Sequence, residues 1–139
     1  MIPPGNSPIL VAGLGCRRGC SADSLLELID HSLKREGLTV QAITALASID
    51  LKASEPGLLE LAETLGLPLV FFSAYELSVF DGQLTHRSQS AFEATGCHGV
   101  AESAALALAT RLAGSAPRLL IERRKNSHAT FALAGRISL

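Results

Sequence analysis

The sequence has 139 residues, of which 47% are hydrophobic and 18% are charged. This composition is typical of one globular domain and excludes a disordered chain. Twelve basic and thirteen acidic residues leave a net charge of −1, which argues against nucleic-acid binding. No apolar run reaches the roughly 20 residues of a membrane span, and the first residues do not resemble a signal peptide. We therefore expect a cytoplasmic protein that contacts no membrane, with a mobile lead-in over 1–8 and a single domain over 9–139.

The first apolar run ends in a segment rich in glycine and arginine. Residues 8–13 are predicted to form a strand, and Ser21 or Ser24 is predicted to cap a helix that ends near Gly37. Between them lies Gly13-Leu14-Gly15-Cys16-Arg17-Arg18-Gly19. Its glycines permit positive φ, its guanidinium groups suit carboxylates or phosphates, and the following helix start offers unpaired N–H groups. We interpret this segment as an anion-binding loop.

The rest of the chain alternates strand and helix patterns. Strands are predicted over 40–48 and 67–72, helices over 56–65 and 100–113, and a C-terminal β-hairpin over 119–134. Residues 67–72 are apolar throughout, which predicts burial on both faces. Alternation of this kind predicts a three-layer α/β/α fold, with a mostly parallel mixed sheet of about five strands that ends in the hairpin.

Ligands of such sheets bind beyond the carboxyl ends of the strands. The loops predicted there are 14–20, 49–54 and 73–75, and the first turn of the helix over 100–113 lies near them. The candidate ligand-binding residues are Gly13, Gly15, Cys16, Arg17, Arg18, Gly19, Asp50, Lys52, Ser73 and Glu102. They suit a ligand with several carboxylates. The alternative is that the arginines face solvent and that Lys52 pairs with Asp50 or Glu55.

Other kinds of site have weaker support in the sequence. The three cysteines lack the spacing of zinc ligands, so we expect reduced thiols, no metal and no cofactor. In the segment 13–19 the third glycine falls one position later than the GxGxxG pattern of a dinucleotide site requires. No acidic partner is evident for His86, His98 or His128, so no acid–base pair is predicted.

Residues 118–139 hold five basic residues against Glu122 alone, which indicates either a solvated hairpin or a surface for an acidic ligand or partner.

Five segments in order resemble the C-terminal domain of the CbiG proteins of cobalamin biosynthesis and the stand-alone CobE family. They are residues 13–19, 46–52, 57–62, 67–77 and 99–106. The resemblance covers about residues 9–134. It departs at Cys20, where the family pattern usually has a small hydroxyl residue.

The resemblance implies a tetrapyrrole ligand, namely a precorrin or corrin intermediate with many acetate and propionate groups. It also implies contact with other enzymes of the pathway. The two-part CbiG proteins open a δ-lactone on a cobalt-precorrin and release acetaldehyde, and we expect that this chain does not include their other domain. Two functions therefore stay open, a carrier or accessory protein and a precorrin hydrolase. The missing acid–base pair favours the carrier.

Overall fold

A computed structural model of the chain describes residues 8–114 and 116–136, so the lead-in predicted over 1–8 falls outside the described residues apart from Pro8. The described residues form one five-stranded sheet. Its strands are β1 (Ile9–Cys16), β2 (Ala45–Ile49), β3 (Leu69–Phe72), β4 (Arg118–Lys125) and β5 (Ala129–Arg136). Their order is β3-β2-β1-β5-β4. The first three strands are parallel, and β5 runs antiparallel to both β1 and β4.

Helices cover both faces of this sheet. They are α1 (Ala22–Lys34), α2 (Pro56–Leu65), α3 (Ala74–Ser78), α4 (Gln89–Thr95) and α5 (Val100–Ala113). Leu10 and Leu14 of β1 point into a core shared with α1 and α2, whereas Val11 points into a second core shared with α3 and α5. The predicted three-layer α/β fold with its C-terminal hairpin is therefore confirmed. Among the described residues, no helix is long and apolar enough to cross a membrane.

Three strands differ from their predictions. β1 continues to Cys16 because β5 pairs with it along its whole length, from Ile9 opposite Arg136 to Cys16 opposite Ala129. β2 is shorter than predicted, because residues 40–42 form a 3₁₀ turn. The prediction that residues 67–72 are buried on both faces is wrong. β3 is an edge strand, and of its four residues only Phe72 is fully buried.

Local capping signals set the ends of several helices. The Ser21 hydroxyl accepts a hydrogen bond from the Ser24 N–H at 3.1 Å and begins α1. Gly66 and Gly114 end α2 and α5 in the left-handed conformation, with φ of 67° and 68°. These helix boundaries agree with the sequence prediction, because each depends on residues within one turn.

Candidate functional site

A cleft of about 660 Å³ opens at the carboxyl ends of β1 and β2. Its other walls are α4, the first turn of α5 and the turn between β4 and β5. The apolar part of the lining consists mainly of small residues, Ile49, Ala91, Ala94, Val100, Ala101 and Ala129. The cleft is thus a concave site at the edge of the sheet where ligands of α/β proteins bind.

The charged part of the lining is entirely basic. Four cationic side chains line the cleft, those of Arg17, Lys52, Arg123 and Lys125. No aspartate or glutamate is found among the described residues that line it. Arg17 and Lys125 are exposed, while Lys52 and Arg123 are partly buried. A concave surface with charges of one sign concentrates ligands of the opposite sign, so the cleft favours anions.

Four of the ten predicted ligand-binding residues line this cleft, Gly15, Cys16, Arg17 and Lys52. Within the described part of the chain, neither Arg17 nor Lys52 takes part in an ion pair. The alternative that Lys52 pairs with Asp50 or Glu55 is therefore wrong. The other six predicted residues lie outside the lining, and they are Gly13, Arg18, Gly19, Asp50, Ser73 and Glu102.

The glycines of β1 allow close packing and do not form a turn. Gly13 and Gly15 lie within the extended strand, and in the segment 13–19 only Gly19 has a positive φ, of 81°. A Cβ on Gly13 would overlap the carbonyl oxygen of Ala101 and lie 2.7 Å from the Ala105 nitrogen. The loop predicted over 14–20 therefore begins later than expected, and Gly13 and Gly15 both belong to the strand. The strand instead needs glycine here because α5 lies directly on it.

The turn after β1 fixes the backbone of Arg17. The Arg17 N–H donates to the carbonyl oxygen of His128 at 2.9 Å, which ties β1 to the hairpin. The Cys20 N–H donates back to the Arg17 carbonyl at 3.0 Å, and the Gly19 N–H donates to the Glu55 carboxylate. Arg17 is thus held beside the cleft, while Gly19 is used to join the turn to the start of α2.

Two predicted ligand-binding residues have structural partners instead. The Ser73 hydroxyl accepts from the Glu76 N–H at 3.1 Å, and the Glu76 carboxylate accepts from the Ser73 N–H at 2.8 Å, so the pair forms a capping box for α3. Glu102 is 1% exposed. Its carboxylate accepts from Thr85 N–H at 2.8 Å, from Arg123 N–H at 3.1 Å, and also from the Thr85 hydroxyl.

Glu102 therefore connects three segments, of which α5 and β4 line the cleft. It lies on α5 and binds both the loop at Thr85 and His86 and the strand β4. The register of β4 against β5 shifts between Ile121 and Arg124, where the Arg123 N–H turns to Glu102. Burial raises the pKa of the Glu102 carboxyl, but the hydrogen bonds from Thr85, Arg123 and His86 outweigh it, and the net pKa is lowered.

Glu102→Gln should reduce the free energy of unfolding by about 1.5–3 kcal/mol near neutral pH, the range for hydrogen bonds to a charged group. Because the folded-state pKa is lowered, this contribution is present above the ordinary glutamate pKa of about 4.3 and is lost as the pH falls through the folded-state value. Urea unfolding at neutral and acidic pH measures the difference. Glu60→Gln, on the exposed side of α2, is the control. A loss at Glu102 that is independent of pH would contradict this account.

His98 has the acidic partner that the sequence does not reveal. Its Nδ1 lies 3.2 Å from Asp81 Oδ1, and the other Asp81 oxygen accepts from Arg87 Nη1 at 2.6 Å. The ring stacks on Phe92 with centroids 4.3 Å apart. The hydrogen bonds from Arg87 and His98 lower the pKa of Asp81. The prediction that the histidines lack acidic partners is therefore wrong for His98, which lines the cleft, and for His86, 3.8 Å from Glu102.

The basic residues of the C-terminal hairpin do not all have the same surroundings, so neither interpretation of this segment describes all of them. Arg123 and Lys125 line the cleft, whereas Arg124 pairs with Glu36 at 3.3 Å. The turn between β4 and β5 is shaped by Asn126, whose side-chain oxygen accepts from two following N–H groups at 2.8 Å. The cluster of basic residues was the only sequence signal that pointed to this wall of the cleft.

The cysteines do not form a reactive or metal-binding group. Cys16, Cys20 and Cys97 are buried free thiols. Burial, and next the neighbouring Cys20, raise the pKa of Cys16 to about 12, so its thiol is neutral at physiological pH. Among residues 8–114 and 116–136, no group of three or more His, Cys, Asp or Glu side chains is placed to hold a metal ion.

Comparison with known proteins identifies the family. Residues 10–134 match the family model described as cobalamin synthesis G C-terminus. The chain is 38% identical over 130 residues to Protein CobE of Sinorhizobium sp, a match that covers 94% of this chain and 82% of that protein. It is 33% identical over 126 residues to the cobalt-precorrin-5A hydrolase of Priestia megaterium, but that match covers 91% of this chain and only 32% of the hydrolase.

A solved structure agrees with the sequence matches. The crystal structure of CobE, a protein from the cobalamin (vitamin B12) biosynthetic pathway, has a TM-score of 0.90 with this chain at 43% sequence identity. The match covers 95% of this chain and 93% of that one. This chain therefore belongs to the CobE and CbiG C-terminal family of cobalamin biosynthesis proteins.

Proposed function

We propose that the cleft binds a carboxylate-rich precorrin or corrin intermediate, and that the protein acts as a carrier or accessory protein in synthesis of the corrin ring. The observation that carries this proposal is the set of four cations around an apolar lining that includes no described acidic residue. Corrin precursors combine a large apolar ring with peripheral acetate and propionate groups. The chemistry of the lining therefore matches both parts of such a ligand.

The two parts of the ligand would meet different parts of the lining. The apolar residues of β2, β5, α4 and α5 that line the cleft leave a surface on which a flat ring can lie. Arg17 and Lys125 are exposed enough to reach carboxylates at the ring's periphery. The volume of about 660 Å³ lies within the range of about 300–1,000 Å³ that is common for ligand sites.

The first turn of α5 adds further donors. Its N-cap residue, Gly99, provides no side-chain cap, and Gly99, Val100 and Ala101 all line the cleft. The first N–H groups of a helix lack partners within the helix, and the helix dipole places partial positive charge there. Together with Arg17 and Arg123, this helix end supports the proposal that the ligand is an anion.

A second candidate function is hydrolysis of a precorrin, and the contact between Asp81 and His98 favours it. A histidine held by a carboxylate can serve as a general base toward water. The cobalt-precorrin-5A hydrolase of Priestia megaterium matches this chain, although the match covers only 32% of the hydrolase. The two candidates differ in whether the bound ligand leaves the cleft with its covalent structure changed.

The test is a titration with a cobalt-free corrin whose peripheral side chains are free acids. Absorbance should show saturable binding at one ligand per chain, and the pigment should stay with the protein through gel filtration. Affinity should fall as salt rises, because salt screens the cleft cations. The recovered pigment should keep its mass after prolonged incubation. A change of mass would favour the hydrolase, and failure to bind would contradict the proposal.

A further inference from the structure

Three contacts position His98 in the lining of the cleft. Its Nδ1 is 3.2 Å from Asp81, its ring stacks at 14° on Phe92, and its carbonyl oxygen accepts from the Ser88 N–H at 2.8 Å. Its side chain is 23% exposed. These contacts fix the plane of the ring. They also leave Nε2 as the ring nitrogen that can meet a ligand.

We propose that His98 binds a carboxylate of the ligand through Nε2 and takes up one proton as the ligand binds. This inference rests on the proposed function, because it requires an anion in the cleft. A protonated histidine donates from both ring nitrogens. Asp81 accepts the hydrogen bond from Nδ1, and the ligand carboxylate accepts the hydrogen bond from Nε2.

Two charged neighbours of His98 have opposite effects on the protonation of its ring. Asp81 favours the protonated ring, whereas Arg87, with Nη2 3.4 Å from Nδ1, disfavours it. The other titratable groups of the lining are also positive or neutral, and they are Arg17, Lys52, Arg123, Lys125, His128 and Cys16. A carboxylate that enters the cleft adds a negative charge beside the ring. The balance then shifts toward the protonated form.

Binding should therefore depend on pH in a definite direction. Histidine is the side chain that ordinarily changes its charge near neutral pH, while the carboxylates of the ligand are already fully ionised there. If binding takes up one proton in this range, the affinity falls about tenfold for each unit of rising pH. A cleft that used only arginine and lysine would show no such slope, since both stay charged.

Calorimetric titration in buffers of different ionisation enthalpy counts the protons directly. The free-acid, cobalt-free corrin is the probe, at slightly alkaline pH. The wild-type protein should take up about one proton per ligand, because the entering carboxylate stabilises the imidazolium form of His98. His98→Gln should bind more weakly and take up close to none. Asp81→Asn should also reduce the uptake, because it removes the negative charge that stabilises the imidazolium. His31→Gln, on the exposed side of α1, is the control and should match the wild type.

The outcomes separate this inference from the proposed function. Binding without proton uptake in the wild type would overturn the role of His98 and leave carboxylate binding intact. Absence of binding would overturn the proposed function itself. Uptake that persists in His98→Gln and disappears in His128→Gln would also overturn the inference. If His98→Gln does not fold, Asp81→Asn provides the test. Proton uptake in that variant equal to that of the wild type would contradict the proposal.

Discussion

Arg17→Gln should weaken binding of a free-acid corrin by about 10- to 100-fold at low salt, and Arg18→Gln should leave it unchanged. The expected loss follows from the contribution of a hydrogen bond to a charged group, about 1.5–3 kcal/mol. Both arginines are exposed, but only Arg17 lines the cleft. The two variants are therefore matched in charge, exposure and position along the chain. Absorbance titration of each measures the affinity.

Two further measurements make this comparison decisive. Neither variant should change the melting temperature, because both side chains are solvent-exposed. Arg17→Lys should recover only part of the affinity, since lysine keeps the charge and loses the bidentate geometry. Equal losses for the two glutamine variants would mean that the cleft surface of Arg17 is not the binding site. A loss that merely follows unfolding would mean the same.

Gly13→Ala should be strongly destabilising, by at least about 3 kcal/mol, or should prevent folding. The new Cβ would overlap the carbonyl oxygen of Ala101 and come within 2.7 Å of the Ala105 nitrogen. These are backbone atoms of α5, so relief requires the helix to move away from β1. The same displacement would shift Val100 and Ala101 out of the wall of the cleft. Urea unfolding measures the effect on stability.

Gly82→Ala is the control for this substitution. No atom lies within 4 Å of a Cβ built at Gly82, and its φ is not positive. Its effect should stay within about 0.5 kcal/mol, as is usual for surface substitutions. If the Gly13 variant were as stable as the Gly82 variant, the direct contact of α5 with β1 would be contradicted.

The predictable parts of the structure depend on neighbours in sequence. Ser21 caps α1 through an N–H three residues away, and Gly66 ends α2 by its own backbone conformation. The positions of Arg17 and Lys52 follow from the rule that loops after parallel strands meet at one edge of the sheet. Ser73 shows the limit of such reasoning. It follows a strand, as predicted, but its hydroxyl caps α3.

The remaining parts of the site depend on pairings between distant segments. β1 extends to Cys16 because Ala129 and its neighbours pair with it, and no residue near Gly13 indicates this. The shift of register that turns the Arg123 N–H from the sheet to Glu102 is a property of the completed sheet. Asp81 and His98 lie 17 positions apart, with α4 and several turns between them, so no single periodicity could bring them together in a prediction.

Recognition of carboxylates by the cationic cleft is tested most directly by titrating the wild-type protein with one corrin in two chemical forms. In one form the peripheral acetate and propionate groups are free acids, and in the other they are methyl esters. The ring is the same, so the comparison isolates the charged groups. We expect the acid to bind at least about 100-fold more tightly at low salt, as the loss of two or more charged hydrogen bonds implies. Equal affinity for the two forms would contradict the account.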